Sequence, residues 1–344
     1  MAPRLVAIAA RAGVSEATVS RVLNDKPGVA DRTREAVVAA VDALGYERPT
    51  ALRARSLKFV GLIVPELTNP VFPALVQVVE SALVSSGFAP VLCSHTAGGV
   101  REDVYVDLLL DHGVSGIVFV SGLHADTEAP TDRYRRLVDR GIAMAFINGW
   151  IEGVGAAFVS CDDAVAAQLA VGHLHDLGHR RIGLALGPGR FTQIVRRRAG
   201  FVAAMRQRGA AVAPELIAES VFSIEGGYAA GEALLDAGAT AVVCASDLMA
   251  LGVVRAVRAR GLDVPRDISV VGYDDSLLIP FVDPPLSTVR QPVTDMGLAA
   301  VRMLVDEIRD VAVPRTELLF RPELVVRAST GHDQARPSFG AHPG

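Results

Sequence analysis

From Phe59 onward, short apolar runs return along the chain with amphipathic stretches between them, and this alternation limits the fold more than any other feature. FVGLIV (59–64), APVLC (89–93), SGIVFV (115–120) and AMAFIN (143–148) form one series. AAFVS (156–160), RIGLAL (181–186), AVVCA (241–245) and ISVVGY (268–273) form a second. Each run reads as a buried strand, and spacers such as Pro70 to Ser86 read as helices. Strand, helix, strand at this spacing predicts α/β architecture: parallel sheets covered on both faces. Two series in tandem predict two doubly wound lobes. LSTVRQP (286–292) and a helix from Val293 to Ile308 are then expected to return to the first lobe. Ligands of such sheets bind beyond the carboxyl ends of the strands, so a cleft between the lobes is the expected site.

The residues before this alternation have another grammar. In AARAGVSEATVSRVL (9–23), Ile8 and Ala9 are read as closing a short helix, and Gly13 supplies the positive φ of a tight turn. Ser15 suits the N-cap of a second helix. Val14, Val19 and Val22 would form its buried side, leaving Glu16, Ala17, Ser20 and Arg21 outward. A third helix is expected from Asp31 to Leu44, with Val37, Val41 and Leu44 apolar at i, i+4 and i+7 and Gly45 as its stop. This is the pattern of a helix-turn-helix head whose second helix enters a major groove.

GVSEATVSRVLNDKPGV, followed by TRE and ALGY, resembles the head of the lactose/galactose repressor (LacI/GalR) family almost residue for residue from Gly13 to Tyr46. It departs at the start, where Arg4 and Ala7 stand in place of the family's usual Thr cap and Asp. The resemblance implies DNA contacts by Ser15, Glu16, Ala17, Thr18, Ser20, Arg21, Asn24 and Thr33. ERPTALRARSLK (47–58) matches the family's hinge, implying a helix that folds on DNA with Leu57 wedged into the minor groove. The interval from Tyr46 to the first strand is shorter here than in a typical member.

The body resembles the same family, and in fold the periplasmic sugar-binding proteins, through TNPVF (68–72), VSCDD (159–163), ASDLMALG (245–252), VVGYDD (270–275) and PPLSTVRQP (284–292). The match implies an effector site built from Asn69 and Phe72 on the first loop, Asn148 at a strand end, Gln193 in a loop, Arg197, Phe222, Ser246 and Asp274. A guanidinium offers a rigid fork of donors to vicinal oxygens, and a carboxylate accepts from neighbouring hydroxyls. Of the three successive arginines 196–198, two are expected to be solvated or in surface pairs. Asp162 and Asp163 are expected to cap a helix at Ala164. His173, His175 and His179 read as structural, because two of them point to different faces of one helix.

The expected domains are a head (1–46), a hinge (47–58), a two-lobed effector-binding and dimerisation body (59–331) and a disordered tail (332–344). Residues 1–58 hold ten Lys/Arg against six Asp/Glu, while the whole chain carries a net charge of −4. A basic head on an acidic body suits contact with phosphates at one end. Three scattered cysteines and no apolar run of ~18 residues predict a cytoplasmic protein without membrane contact. No GxSxG elbow, phosphate loop or paired acid and base stands out, so an enzyme and a cofactor are not expected. The family resemblance implies a homodimeric, allosteric regulator, expected to be a repressor, that binds pseudopalindromic operator DNA and responds to a small polar effector. A carbohydrate is the expected effector, with a nucleoside or purine as the alternative. A solute-binding protein would explain the lobes but not the head.

Overall fold

Three short helices make the head in the computed structural model, which describes residues 2–24, 26–46, 58–95 and 99–333. They are α1 (Ala2–Ala12), α2 (Glu16–Leu23) and α3 (Asp31–Ala43). Ile8 and Ala9 do not end α1. It runs on to Ala12, and both residues are buried inside it against Val19, Val22, Val37, Ala40 and Val41. Gly13 takes φ +67°, and Val14 N then donates to Ala9 O at 3.1 Å. Leu44 is the C-cap of α3 rather than its last turn. Of the hinge, residues 47–57, Leu57 among them, lie outside the described residues, as do 334–344 of the expected tail.

The body is a separate compact unit. Its first lobe opens with β1 (Lys58–Val64), α4 (Val71–Ser85), β2 (Phe88–Ser94), α5 (Glu102–Asp111) and β3 (Gly116–Val120). It continues through α6 (Asp132–Asp139), β4 (Ala143–Ile147) and β5 (Ala157–Cys161). The second lobe is α7 (Asp163–Asp176), β6 (Ile182–Leu186), α8 (Thr192–Gln207), β7 (Ile217–Glu219), α9 (Ile224–Asp236), β8 (Ala241–Cys244), α10 (Asp247–Ala259), β9 (Ser269–Asp274) and β10 (Ser287–Arg290). Then α11 (Val293–Ile308) and β11 (Glu317–Phe320) return to the first lobe, and β12 (Glu323–Val325) ends in the second. Residues of β3, β4, β5 and β6 are buried throughout, as sheets covered on both faces require.

The sheet orders are β11-β5-β4-β3-β1-β2 and β12-β10-β9-β8-β6-β7. Two expectations are corrected by this. AAFVS does not open the second lobe: β5 pairs with β4 in the first sheet, Ala157 opposite Ala145. LSTVRQP does not return to the first lobe either, because β10 pairs in parallel with β9. Of the two, the helix α11 does make that crossing, packing on α4, β4 and β5. An apolar run shows that a strand is buried but not which strand it joins: here each joins the strand just before it in the chain, β5 on β4 and β10 on β9.

The chain therefore passes between the lobes three times, after β5, after β10 and after β11. Asp162 sits at the first passage and caps α7, accepting from Ala164 N and Val165 N at 3.1 and 3.0 Å. Asp163, expected to share that role, is turned inward and buried instead.

Candidate functional site

On the head, Ser15 Oγ caps α2 by accepting from Thr18 N at 3.2 Å. Glu16, Ala17 and Arg21 are exposed, with Thr18 and Ser20 half-buried beside them. Asn24 Nδ2 donates to Ser20 O at 2.8 Å, so its amide is spent on closing the helix. Arg21 Nη2 donates to Pro27 O at 2.6 Å across the turn that follows α2. Thr33 lies on a different element, the first turn of α3. Helical spacing thus gathers Glu16, Ala17, Ser20 and Arg21 on one face.

Between the lobes lies a cavity of about 140 Å³. Asn69, Phe72, Asn148, Gln193, Arg197, Phe222, Ser246 and Asp274 all line it. Two of them sit on other elements than expected: Phe72 is in the first turn of α4 and Gln193 in the first turn of α8, not in loops. Asn148 follows β4 at φ +61° and donates through Nδ2 to Ser121 Oγ at 3.3 Å. Ser246 is the N-cap of α10, accepting from Met249 N at 3.2 Å. Phe222 can lie in the wall because residue 187 is glycine. A Cβ there would come within 2.2 Å of its ring. Gln193 Oε1 is buried and has no hydrogen-bond partner among the described residues.

Arg197 is fixed on three sides. Its Nε donates to Asp163 Oδ1 at 2.7 Å, its Nη1 to Ala245 O at 2.6 Å, and its guanidinium lies 3.4 Å from the Tyr273 ring centroid. Arg196 and Arg198 pair instead with Glu317 and Glu219, nearer the surface. Asp274 accepts from Gln291 Nε2 at 2.6 Å. Burial pushes its carboxyl well up from the ordinary range, Asp247 adds to the push, and Arg197, Gln291 and Asn69 oppose it. Asp247, raised first by burial, accepts from Ser276 N, Ser276 Oγ and Thr288 Oγ1 at 2.6–2.8 Å. Asp274 and Asp275 hold positive φ values, +119° and +58°, which non-glycine residues keep only where the surroundings impose them. Arg290 and Arg327 do so by gripping Asp275 at 2.8 and 2.6 Å.

Sequence reasoning missed Glu66, Ser121, Phe191 and Gln291 in the cavity wall, and Asp163 and Tyr273 behind Arg197. Phe191 had a signal, an aromatic directly after the glycine-rich GPGR at a strand end. His179 is structural, bonded to Thr240 Oγ1, Ser269 Oγ and Gly331 O. No three metal-ligating side chains gather among the described residues. None of the described helices is long and apolar enough to cross a membrane.

A three-helix head and a two-lobed body with an inter-lobe cavity, in one chain, define a ligand-responsive DNA-binding protein. Residues 5–49 match the bacterial regulatory proteins of the lacI family, and residues 171–330 match the periplasmic binding protein-like domain. The chain is 56% identical over 335 residues to the HTH-type transcriptional regulator reg1 of Streptomyces lividans, covering 96% of this chain and 97% of that one. It is 56% identical to the regulator MalR of Streptomyces coelicolor, over 96% and 97% of the two chains. The chain belongs to the LacI family of helix-turn-helix transcriptional regulators. Among solved structures it is similar to a complex of the regulator CelR with cellobiose, with TM-score 0.72, 32% identity, and 94% and 99% of the two chains covered. The lac repressor dimer bound to operator and the anti-inducer ONPF is also similar, at TM-score 0.72 and 29% identity, over 94% and 98%.

Proposed function

We propose that this regulator represses from a pseudopalindromic operator as a homodimer, and that a sugar in the inter-lobe cavity changes its operator affinity. The observation that carries the effector reading is the composition of that cavity. A fixed arginine and a protonatable aspartate line it together with asparagine, glutamine and serine side chains, and Phe72, Phe191 and Phe222 supply apolar faces. Vicinal hydroxyls on an apolar ring match this chemistry: Arg197 donates, Asp274 accepts or donates, and a phenyl ring covers the C–H face.

At the DNA, Arg21 reads a guanine through O6 and N7, while Glu16 and Ala17 select neighbouring bases. Thr18, Ser20, Asn24 and Thr33 contact phosphate or hold the head together, Ser15 caps the reading helix, and Leu57 is the minor-groove wedge. The boundaries proposed for head, hinge, body and tail are 1–46, 47–58, 59–331 and 332–344. Exposed Leu277, Leu278 and Phe281, at 80%, 63% and 82%, support a self-associating face after β9.

The test is a thermal-shift screen of the intact chain against sugars, polyols and nucleobases, since a ligand of the native state raises the midpoint by mass action. Hits are followed by calorimetry and by gel shifts on operator DNA. A sugar that stabilises the chain and alters its DNA binding is the expected result. Stabilisation by a nucleobase alone overturns the sugar assignment. Effector and operator must also change each other's affinity by the same factor, worth ~1–3 kcal/mol.

A further inference from the structure

At about 140 Å³, the inter-lobe cavity is smaller than the ~300–1,000 Å³ of ordinary small-molecule sites, so an effector enters only when the lobes part. The sheet orders say on which side they can. Strands at the passages between lobes, β11 and β5 in one sheet and β12 and β10 in the other, stand side by side at one edge of each sheet. Those covalent passages act as a hinge, and the cleft opens away from them, toward β3 and β6.

On that side the lobes hold each other directly, through the segment after β3 and the segment between β6 and α8. Asp126 and Phe191 form an isolated antiparallel bridge. Thr127 N and Oγ1 both donate to Arg190 O, at 2.8 and 2.7 Å. Arg190 Nε pairs in turn with Asp126 Oδ2 at 3.1 Å, and Thr192 Oγ1 donates to Ala125 O at 3.2 Å. Each segment is anchored in its own lobe. In the first, the buried Glu102 carboxylate accepts from Leu123 N at 3.0 Å and from Tyr134 Oη at 2.5 Å, and His124 Nε2 donates to Ile147 O at 3.2 Å. In the second, Thr192 is the first residue of α8, whose Arg197 is tied to Asp163 and Ala245. The links between the two segments are few enough to break while both lobes stay folded.

We propose that this contact is a latch: the cleft opens by breaking the links between residues 125–127 and 190–192 while the hinge side stays joined. Phe191 belongs both to the latch and to the cavity wall, so the latch stands at the entrance it controls. The fraction of time it is broken limits how fast any effector can associate, because binding waits on the change of shape. The buried Glu102 and His124 gain a role here as positioning residues, which keep the first lobe's half of the latch in register with Arg190 and Thr192.

Thiol labelling of the intact chain without effector tests this. Met296→Cys, and separately Ser246→Cys, places a thiol in the cavity wall at a residue only 1% or 3% exposed. Cys93 and Cys244, buried in β2 and β8, report any general loosening of either lobe in the same molecule. Iodoacetamide labelling is read at each cysteine by mass spectrometry. Adding Asp126→Ala with Thr127→Val, which removes the ion pair and the Oγ1 bond, speeds labelling of the cavity thiol about tenfold, the factor for one charged hydrogen bond. Cys93 and Cys244 keep their rates. Asp126→Cys with Phe191→Cys instead closes a disulfide across the bridge, where facing Cα atoms suit one, and slows labelling of the cavity thiol until a reductant is added. A cavity thiol whose rate neither pair of changes alters overturns the latch. Equal acceleration at Cys93 and Cys244 overturns it as well, because the whole fold has then loosened. No sugar is used, so this result and the sugar reading fail separately.

Discussion

The head and the body each carry an arginine on the surface proposed to meet a ligand, and they hold it in opposite ways. Arg21 is exposed and tied by one hydrogen bond to the Pro27 carbonyl. Arg197 is mostly buried, bonded to a carboxylate and a carbonyl and stacked on a ring. An exposed side chain can change partner when a base edge arrives, and pays its ordering entropy at that moment. A buried guanidinium has paid already, so it can be selective for hydroxyl geometry, but the fold now depends on it. The head can vary its reading residues freely; the body cannot vary Arg197 without losing stability.

The largest test of that contrast is Arg197→Ala. It leaves the buried Asp163 carboxylate without its cation, and breaking such a pair costs ~3–5 kcal/mol. A fall in urea midpoint of that order, together with lost effector binding by calorimetry, is expected. An unchanged midpoint would erase the distinction between the two arginines. Arg21→Ala comes next. Fold stability should move by less than ~0.5 kcal/mol, while operator affinity falls by ~1–3 kcal/mol, with relaxed preference at one base pair in each half-site by randomised-site selection.

A subtler test uses pH. Asp274 binds its proton more tightly in the folded than in the unfolded chain, chiefly because of burial. The folded state therefore loses stability as pH rises from the ordinary carboxylate range through about 8. Asp274→Asn should flatten the urea midpoint across that window, and a profile as steep as the original would assign the slope elsewhere. The smallest effect belongs to Arg198→Ala. Its pair with Glu219 is half exposed, so ~0–1 kcal/mol is expected by the same denaturation.

The same contrast explains what could be read from the sequence. Head residues face solvent or a local core, and helical spacing alone sorted them, with Val19 and Val22 inside and Glu16 and Arg21 outside. Strands announced themselves as apolar runs, yet AAFVS and LSTVRQP were given to the wrong lobes, because an apolar run does not say which sheet it joins and each pairs with the strand just before it, β4 and β9. The short β7, β11 and β12 lack the length to signal at all. At the cavity, residues implied by the family resemblance, such as Arg197 and Asp274, were found, while their partners were not. Asp163 looked like a helix cap because it follows Asp162; only the fold brings it to Arg197, 34 positions on. Gln291 was inside a recognised motif, but its bond to Asp274 depends on the second passage between lobes.

Those three passages also set an order of events during synthesis. The first lobe opens at residue 58, but its sheet gains its edge strand only at Glu317–Phe320, and α11 covers it from Val293. A nascent chain emerges N-terminus first. It must therefore carry a sheet with an uncovered flank until the second lobe's nine elements have followed it out. For the same reason, a stop codon or protease cut near residue 292 does not release a finished half: it leaves the older lobe unclosed and strips the younger one of β12.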